Sequence, residues 1–155
     1  EIYTLSLHDA LPISEMTENG ATLKSGEAIA RTLDALTFDS AGLVPAIAQQ
    51  HDSGEVLMMA WMNREAVELT LQTGQVCYFS RSRNALWRKG ESSDQTQRLV
   101  DFRIDCDGDT ILLMVDQKGV ACHTGRRNCF FNAVRNDDVE IIAEVEIDPK
   151  DLYGK

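Results

Sequence analysis

Two short stretches of this chain concentrate side chains that bind metal ions. They are "DCDGDT" (105–110) and "ACHTGRRNCFF" (121–131), and their metal-binding residues are Asp105, Cys106, Asp107, Asp109, Cys122, His123 and Cys129. Thiolates and imidazoles are ligands that suit Zn²⁺, whereas carboxylates suit Mg²⁺ or Ca²⁺. Three aspartates at alternate positions repel one another unless a cation lies between them. The two stretches therefore predict metal chemistry.

The three cysteines favour a zinc site that keeps one position open. Cys106, Cys122 and Cys129 are well separated along the chain, unlike the CxxC pairs of a zinc ribbon. Three protein ligands leave a fourth position for water, which is typical of a catalytic zinc. The alternative is a closed structural site with Cys77 or His123 as the fourth ligand, and the spacing leaves both geometries open.

The aspartates do not form an EF-hand loop. Counted from Asp105, the sixth position is Thr110 instead of glycine and the twelfth is Asp116 instead of glutamate. In an extended segment, residues 105, 107 and 109 share one face and Cys106 points to the other. We therefore expect a hard cation on one side of the backbone and zinc on the other. The alternative is an acidic hairpin tip without a metal.

A basic stretch stands out in the otherwise acidic chain. "SRSRNALWRKGESS" (80–93) contains cationic, hydroxyl and aromatic side chains, namely Ser80, Arg81, Ser82, Arg83, Trp87, Arg88 and Lys89. Arginine forks and hydroxyl groups hold phosphate, and a tryptophan stacks on a purine. The alternative is a solvated basic loop with Trp87 packed in the core.

The elements that must position these residues are mostly strands. We predict strands at 43–50, 55–62, 75–80, 98–107, 110–117 and 139–147, with turns at Asp52–Gly54 and Asp107–Gly108. One helix is predicted over 63–74, capped by Asn63 and ended by Gly74, and a short one around 26–36. The pattern predicts an α+β fold with a compact, mainly antiparallel sheet and few helices.

The composition limits the cellular setting and the partners. The formal net charge of −10 disfavours binding to nucleic acid or to an anionic membrane. Apolar runs long enough to cross a bilayer are missing, and four cysteines without a secretory signal indicate reduced thiols in the cytoplasm. We predict an N-terminal extension over 1–37, in which 1–15 is foreign adapter sequence, a domain over 38–135, and a C-terminal strand and tail over 136–155.

Four stretches together resemble the phosphoribosyl-AMP cyclohydrolases of histidine biosynthesis. They are "FDSAGLVPAIAQ", "GEVLMMAWMN", "CYFSRSRNALWRKGE" and "DCDGDTILLMVDQKGVACHTGRRNCFF". The resemblance implies an intertwined homodimer with active sites at the subunit interface. It implies one zinc per subunit on Cys106, Cys122 and Cys129, drawn from both subunits, and magnesium on the three aspartates. Too few residues follow Phe131 for a fused pyrophosphatase domain, so we expect the monofunctional form.

The resemblance also implies a reaction. Zinc-activated water would attack C6 of the adenine ring of 1-(5-phosphoribosyl)-AMP, and the N1–C6 bond would then open. His123 is our candidate for the catalytic acid and base. We assign Arg81, Arg83 and Lys89 to the phosphates and Trp87 to a ring, with Ser80, Ser82 and Thr124 as further substrate contacts. A zinc-stabilised binding module is the alternative, whereas a deaminase would need an H-x-E or C-x-E motif that "CHT" lacks.

Overall fold

A curled six-stranded sheet forms the framework of the computed structural model, which describes residues 24–154. Its strand order is β4-β3-β2-β1-β6-β5, with β1 and β6 parallel and the other neighbours antiparallel. A separate two-stranded sheet pairs β7 with β8. The elements in chain order are α1 (Gly26–Ala35), β1 (Val44–Gln50), β2 (Val56–Met62), α2 (Arg64–Thr73), β3 (Cys77–Ser80), β4 (Ala85–Arg88), β5 (Gln97–Ile104), β6 (Ile111–Gln117), β7 (Asn132–Arg135), β8 (Asp138–Ile141) and α3 (Pro149–Tyr153).

The predicted α+β class and mainly antiparallel sheet are confirmed. Helix α2 begins and ends as its terminal residues predict. The Asn63 side chain accepts from the Ala66 backbone N–H at 2.8 Å, and Gly74 takes the left-handed conformation. The parallel pairing of β1 with β6 was not anticipated, and neither were β4, β7 and α3.

The core lies on one face of the sheet. Alternate residues of β1 and β6 are buried, as expected for strands with one covered face. Ile29 and Leu33 of α1 and Val67 of α2 belong to the same cluster. Helix α1 lies inside the segment predicted as an extension, yet it packs into the core. Residues 1–15, which we interpret as foreign, lie outside the described residues.

The C-terminal region differs from its prediction. The strand expected over 139–147 ends at Ile141, because the following residues turn back onto the loop after β6. There the backbone N–H groups of Glu146 and Ile147 donate to the Gly125 carbonyl at 2.8 and 3.1 Å. The helices in the described part of the chain are all too short and polar to span a membrane.

Candidate active site

A cavity of about 360 Å³ brings four of the predicted substrate residues together. Its lining consists of Ser80, Arg83, Trp87, Arg88, Lys89, Gly90, Glu91, Ser92, Ser93 and Tyr153. The strand pair β3–β4 positions the aromatic wall, because Trp87 lies opposite Tyr78 with ring centroids 5.1 Å apart. The basic stretch therefore contains a β-hairpin, one side of which lines the cavity. Trp87 lines the cavity and also packs against the core.

Lys89 is the buried cation of this cavity. Its side chain is 8% exposed, and its Nζ donates to the Gln95 carbonyl at 3.1 Å. Burial lowers the pKa of Lys89, and the neighbouring Cys129 and Cys122 thiols act in the opposite direction. Lys89 thus connects the cavity to the cysteine pair.

Cys122 and Cys129 lie side by side on the loop that follows β6. Cys129 is exposed as a whole residue, but desolvation of its thiol raises the pKa of that group to about 12, and the adjacent Cys122 adds to the shift. The Cys129 N–H donates to the Leu57 carbonyl at 2.8 Å, which fixes the loop to β2. Thr124 donates its hydroxyl to the Cys122 sulfur at 3.1 Å, and His123 between them is exposed. Two sulfur atoms this close together suit a zinc ion, because thiolates are ligands that this ion prefers.

The three aspartates gather at the other end of β6, in the turn between β5 and β6 instead of the extended segment that their alternation assumed. Asp105, Asp107 and Asp109 have carboxylate oxygens within 4.8 Å of one another, and all three are exposed. Hydrogen bonds to the carboxyls of Asp107 and Asp105 raise the pKa of Asp109. Desolvation acts to raise the pKa of Asp105. Hydrogen bonds from Asp109 and from the Thr110 N–H outweigh it, so that pKa lies below its usual range. The three carboxylates therefore act on one another, and a cation between them would offset their mutual repulsion.

Cys106 does not join the other two cysteines within one chain. In residues 24–154 the aspartate cluster is the one set of three or more Asp, Glu, His or Cys side chains with ligand atoms within 4.8 Å. Cys106 precedes β6 and Cys122 follows it, and a seven-residue strand separates its ends by roughly 20 Å. Zinc–sulfur bonds of about 2.3 Å cannot span that separation.

Three predicted contacts lie outside the cavity lining, namely Arg81, Ser82 and Thr124. Arg81 stacks on Trp61, with its guanidinium carbon 4.8 Å from the ring centre. Ser82 contacts Ser80 through their hydroxyl oxygens at 3.3 Å. Conversely, sequence reasoning did not select Ser93 or Tyr153. Ser93 belongs to the basic stretch, so hydroxyl chemistry could have identified it, whereas Tyr153 reaches the cavity only through the fold of the C-terminal segment.

Comparisons with known proteins decide the family. Residues 58–131 match the family model described as phosphoribosyl-AMP cyclohydrolase. The phosphoribosyl-AMP cyclohydrolase of Alkalilimnicola ehrlichii is 70% identical over 123 residues, which cover 79% of this chain and 87% of the relative. This chain belongs to the phosphoribosyl-AMP cyclohydrolase family.

Other family members cover nearly the same region. The phosphoribosyl-AMP cyclohydrolase of Halorhodospira halophila is 59% identical over 141 residues, covering 90% of this chain and 99% of the relative. That of Paramagnetospirillum magneticum is 66% identical over 126 residues, covering 81% of this chain and 96% of the relative. The family model ends at Phe131, so Tyr153 lies beyond the region that it matches.

Proposed function

We propose that this chain opens the adenine ring of 1-(5-phosphoribosyl)-AMP, a step of L-histidine biosynthesis in the cytoplasm. The observation that carries the proposal is a basic, aromatic cavity beside a thiol pair, in a member of the cyclohydrolase family. The four free cysteines agree with a reducing compartment. The reaction consumes one water. A C6–O bond forms, the N1–C6 bond breaks, and a proton is transferred to N1.

The cavity residues bind and orient the substrate. Arg83, Lys89 and Ser80 offer cationic and hydroxyl donors to phosphate oxygens, and Trp87 offers a flat face to the purine. Lys89 lies close to the thiols as well, so it orients the substrate toward the cysteine pair. Arg81 and Ser82, at the turn between β3 and β4, are proposed as outer contacts for the second phosphate.

Cys122 and Cys129 would hold zinc together with Cys106, and their thiolate chemistry fits that ion. Zinc, when bound, lowers the pKa of a coordinated water toward about 7 and so supplies the nucleophile at neutral pH. His123 is exposed next to Cys122, where its imidazole takes a proton from water and returns it to N1. Thr124 holds the Cys122 sulfur through its hydroxyl group.

Asp105, Asp107 and Asp109 would hold magnesium. Their oxygens converge within 4.8 Å, and hard oxygen donors are the ligands that this ion prefers. A bound cation offsets the mutual repulsion of the carboxylates and would also attract a substrate phosphate.

A second copy of the chain would complete the zinc site. Because Cys106 and Cys122 lie at opposite ends of β6, the three ligands meet only when the β5–β6 turn of one subunit approaches the thiol pair of another. The same approach brings the aspartates of one subunit close to the cavity of its partner. An intertwined homodimer with shared sites therefore agrees with the ligand positions.

The outer face of the sheet offers an apolar surface for this assembly. Register pairs place Pro45 beside Trp61, and Ile47 beside both Met59 and Leu112, on the face that α1 and α2 do not cover. Met59 is 46% exposed and its neighbours are half-buried. Apolar patches of this kind are usually covered in an assembly.

Turnover of phosphoribosyl-AMP, followed by absorbance, tests the reaction. The purified protein is assayed with zinc and magnesium, after removal of metal by a strong chelator, and after metal is restored. We expect activity that disappears with chelation and returns with metal. A folded, zinc-loaded protein without turnover would contradict the proposal and favour a zinc-stabilised binding module.

Mixing two inactive variants tests the shared site. Cys106→Ser and Cys122→Ser are each expected to lose zinc, but a mixed dimer keeps one intact site, with Cys106 from one chain and Cys122 from the other. Random mixing after mild unfolding should restore about a quarter of the wild-type activity. A site formed within one chain would give no recovery, because every chain in the mixture lacks a ligand.

A further inference from the structure

The C-terminal segment 143–154 packs on the turn that carries Cys122. The Gly125 carbonyl accepts from the N–H groups of Glu146 and Ile147, and Arg126 Nε donates to the Ala143 carbonyl at 2.8 Å. Gly125 has φ +86°, and a Cβ added there would overlap the Ile147 carbonyl oxygen. The turn and the segment are therefore fitted to each other by backbone contacts.

Helix α3 then carries one aromatic side chain to the cavity. Asp148 caps the helix by accepting from the Lys150 N–H at 2.9 Å, and Leu152 is 2% exposed, which anchors it. The next residue, Tyr153, lines the cavity. Partial desolvation and the neighbouring Cys122 raise the pKa of Tyr153, and the nearby Ser93 side chain partly offsets that shift.

We propose that Tyr153 is a substrate-binding residue. Its ring lies against the bound nucleotide, and its hydroxyl group, next to Ser93, forms a hydrogen bond with that nucleotide. This inference rests on the proposed function and adds a contact from outside the region that the family model matches. A tyrosine offers an apolar face with a polar end, and it complements the cationic groups of Arg83 and Lys89 in the same cavity. Because Leu152 already anchors helix α3 in the core, substrate binding costs little conformational entropy in the segment that carries Tyr153.

The test compares steady-state kinetics of the metal-loaded wild type with three variants. Tyr153→Ala should raise KM for phosphoribosyl-AMP about 10-fold and change kcat less than about 3-fold. Tyr153→Phe keeps the ring and should raise KM only about 3-fold. Asp151→Asn is the matched control, since Asp151 is exposed on the same helix and outside the cavity lining, and its KM should equal that of the wild type.

Tyr153 is 51% exposed, so urea unfolding midpoints should agree among the four proteins. An unchanged KM in Tyr153→Ala, or a fall in kcat alone, would overturn the inference while the reaction itself stands. A similar rise in KM for Asp151→Asn would also overturn it, because the effect would then belong to the helix and not to the side chain. A wild type without turnover would instead overturn the proposed function, and this inference with it.

Discussion

Replacing Gly125 by alanine should loosen the C-terminal segment and weaken substrate binding together. Gly125 has φ +86°, a conformation that costs an alanine about 1 kcal/mol. The new Cβ would also overlap the Ile147 carbonyl oxygen and lie 3.1 Å from Val145 Cγ1. Relief of that overlap breaks the two hydrogen bonds to the Gly125 carbonyl, at about 0.5–1.5 kcal/mol each. The free energy of unfolding should therefore fall by roughly 2–4 kcal/mol.

Gly42→Ala is the matched control for backbone strain. Gly42 has φ +76°, yet an added Cβ there meets no atom within 4 Å. Gly42→Ala should therefore cost only about 1 kcal/mol and leave KM unchanged. Urea unfolding at equal metal content and steady-state kinetics measure both variants. Equal losses of stability with equal KM values would refute the packing of the segment on Gly125 as the cause.

Three other predictions concern the metal ions and the proton transfer. Cys122→Ser should lower bound zinc, measured by elemental analysis, whereas Cys77→Ser, at a buried core position, should retain it. Asp109→Asn should weaken magnesium affinity by about 10-fold in a calorimetric titration, because one carboxylate ligand is lost. The control Asp101→Asn removes an exposed acid outside the cluster and should leave that affinity unchanged. His123→Ala should lower kcat roughly 10²–10⁴-fold with zinc retained, and near-normal turnover would remove His123 from the mechanism.

Local chemistry predicts the elements whose ends are set by neighbouring residues. Asn63 and Gly74 act within one turn of helix α2, so the sequence defines both of its ends. By contrast, strand β8 ends at Ile141 because the residues after it bind a distant acceptor, the Gly125 carbonyl. The periodicity of the sequence does not reveal that contact. The β7–β8 hairpin was not predicted. Its two turn residues, Asn136 and Asp137, both have positive φ, and the Asn-Asp pair is the sequence signal that could have indicated this two-residue turn.

The site follows the same division between local and distant information. The aspartate cluster could be predicted because its three carboxylates lie within five consecutive residues, so their proximity is a local property of the sequence. The separation of Cys106 from Cys122 was already implied by the predicted strand between them, since an extended strand of that length cannot bring its ends together. Tyr153 could not be predicted, because it reaches the cavity through the anchoring of Leu152 and the docking on Gly125.

The four thiols should divide into three metal ligands and one that must stay protonated. Cys77 is 2% exposed between α2 and β4, where its N–H donates to the Thr70 hydroxyl at 2.9 Å. Desolvation by burial raises the pKa of Cys77 above the ordinary 9.0, although the Arg88 guanidinium opposes the shift. A raised pKa in the folded state means that the folded chain keeps a proton that the unfolded chain releases. This contribution to stability is full below about pH 9 and declines as the pH rises toward the folded pKa.

Zinc-loaded protein is the suitable sample for this test, because under the proposed function the other three cysteines would bind the metal in both proteins. Between about pH 8 and about pH 10, the unfolding free energy of the wild type should fall by more than that of Cys77→Ala, because only the wild type carries the thiol whose pKa burial raises. Urea titrations at the two pH values measure the difference. Titrations of Tyr78 and Lys89 occur in both proteins and largely cancel in the comparison. If the two proteins lost stability equally, the pKa of Cys77 would be the same in the folded and unfolded chains, and the argument from its burial would be refuted.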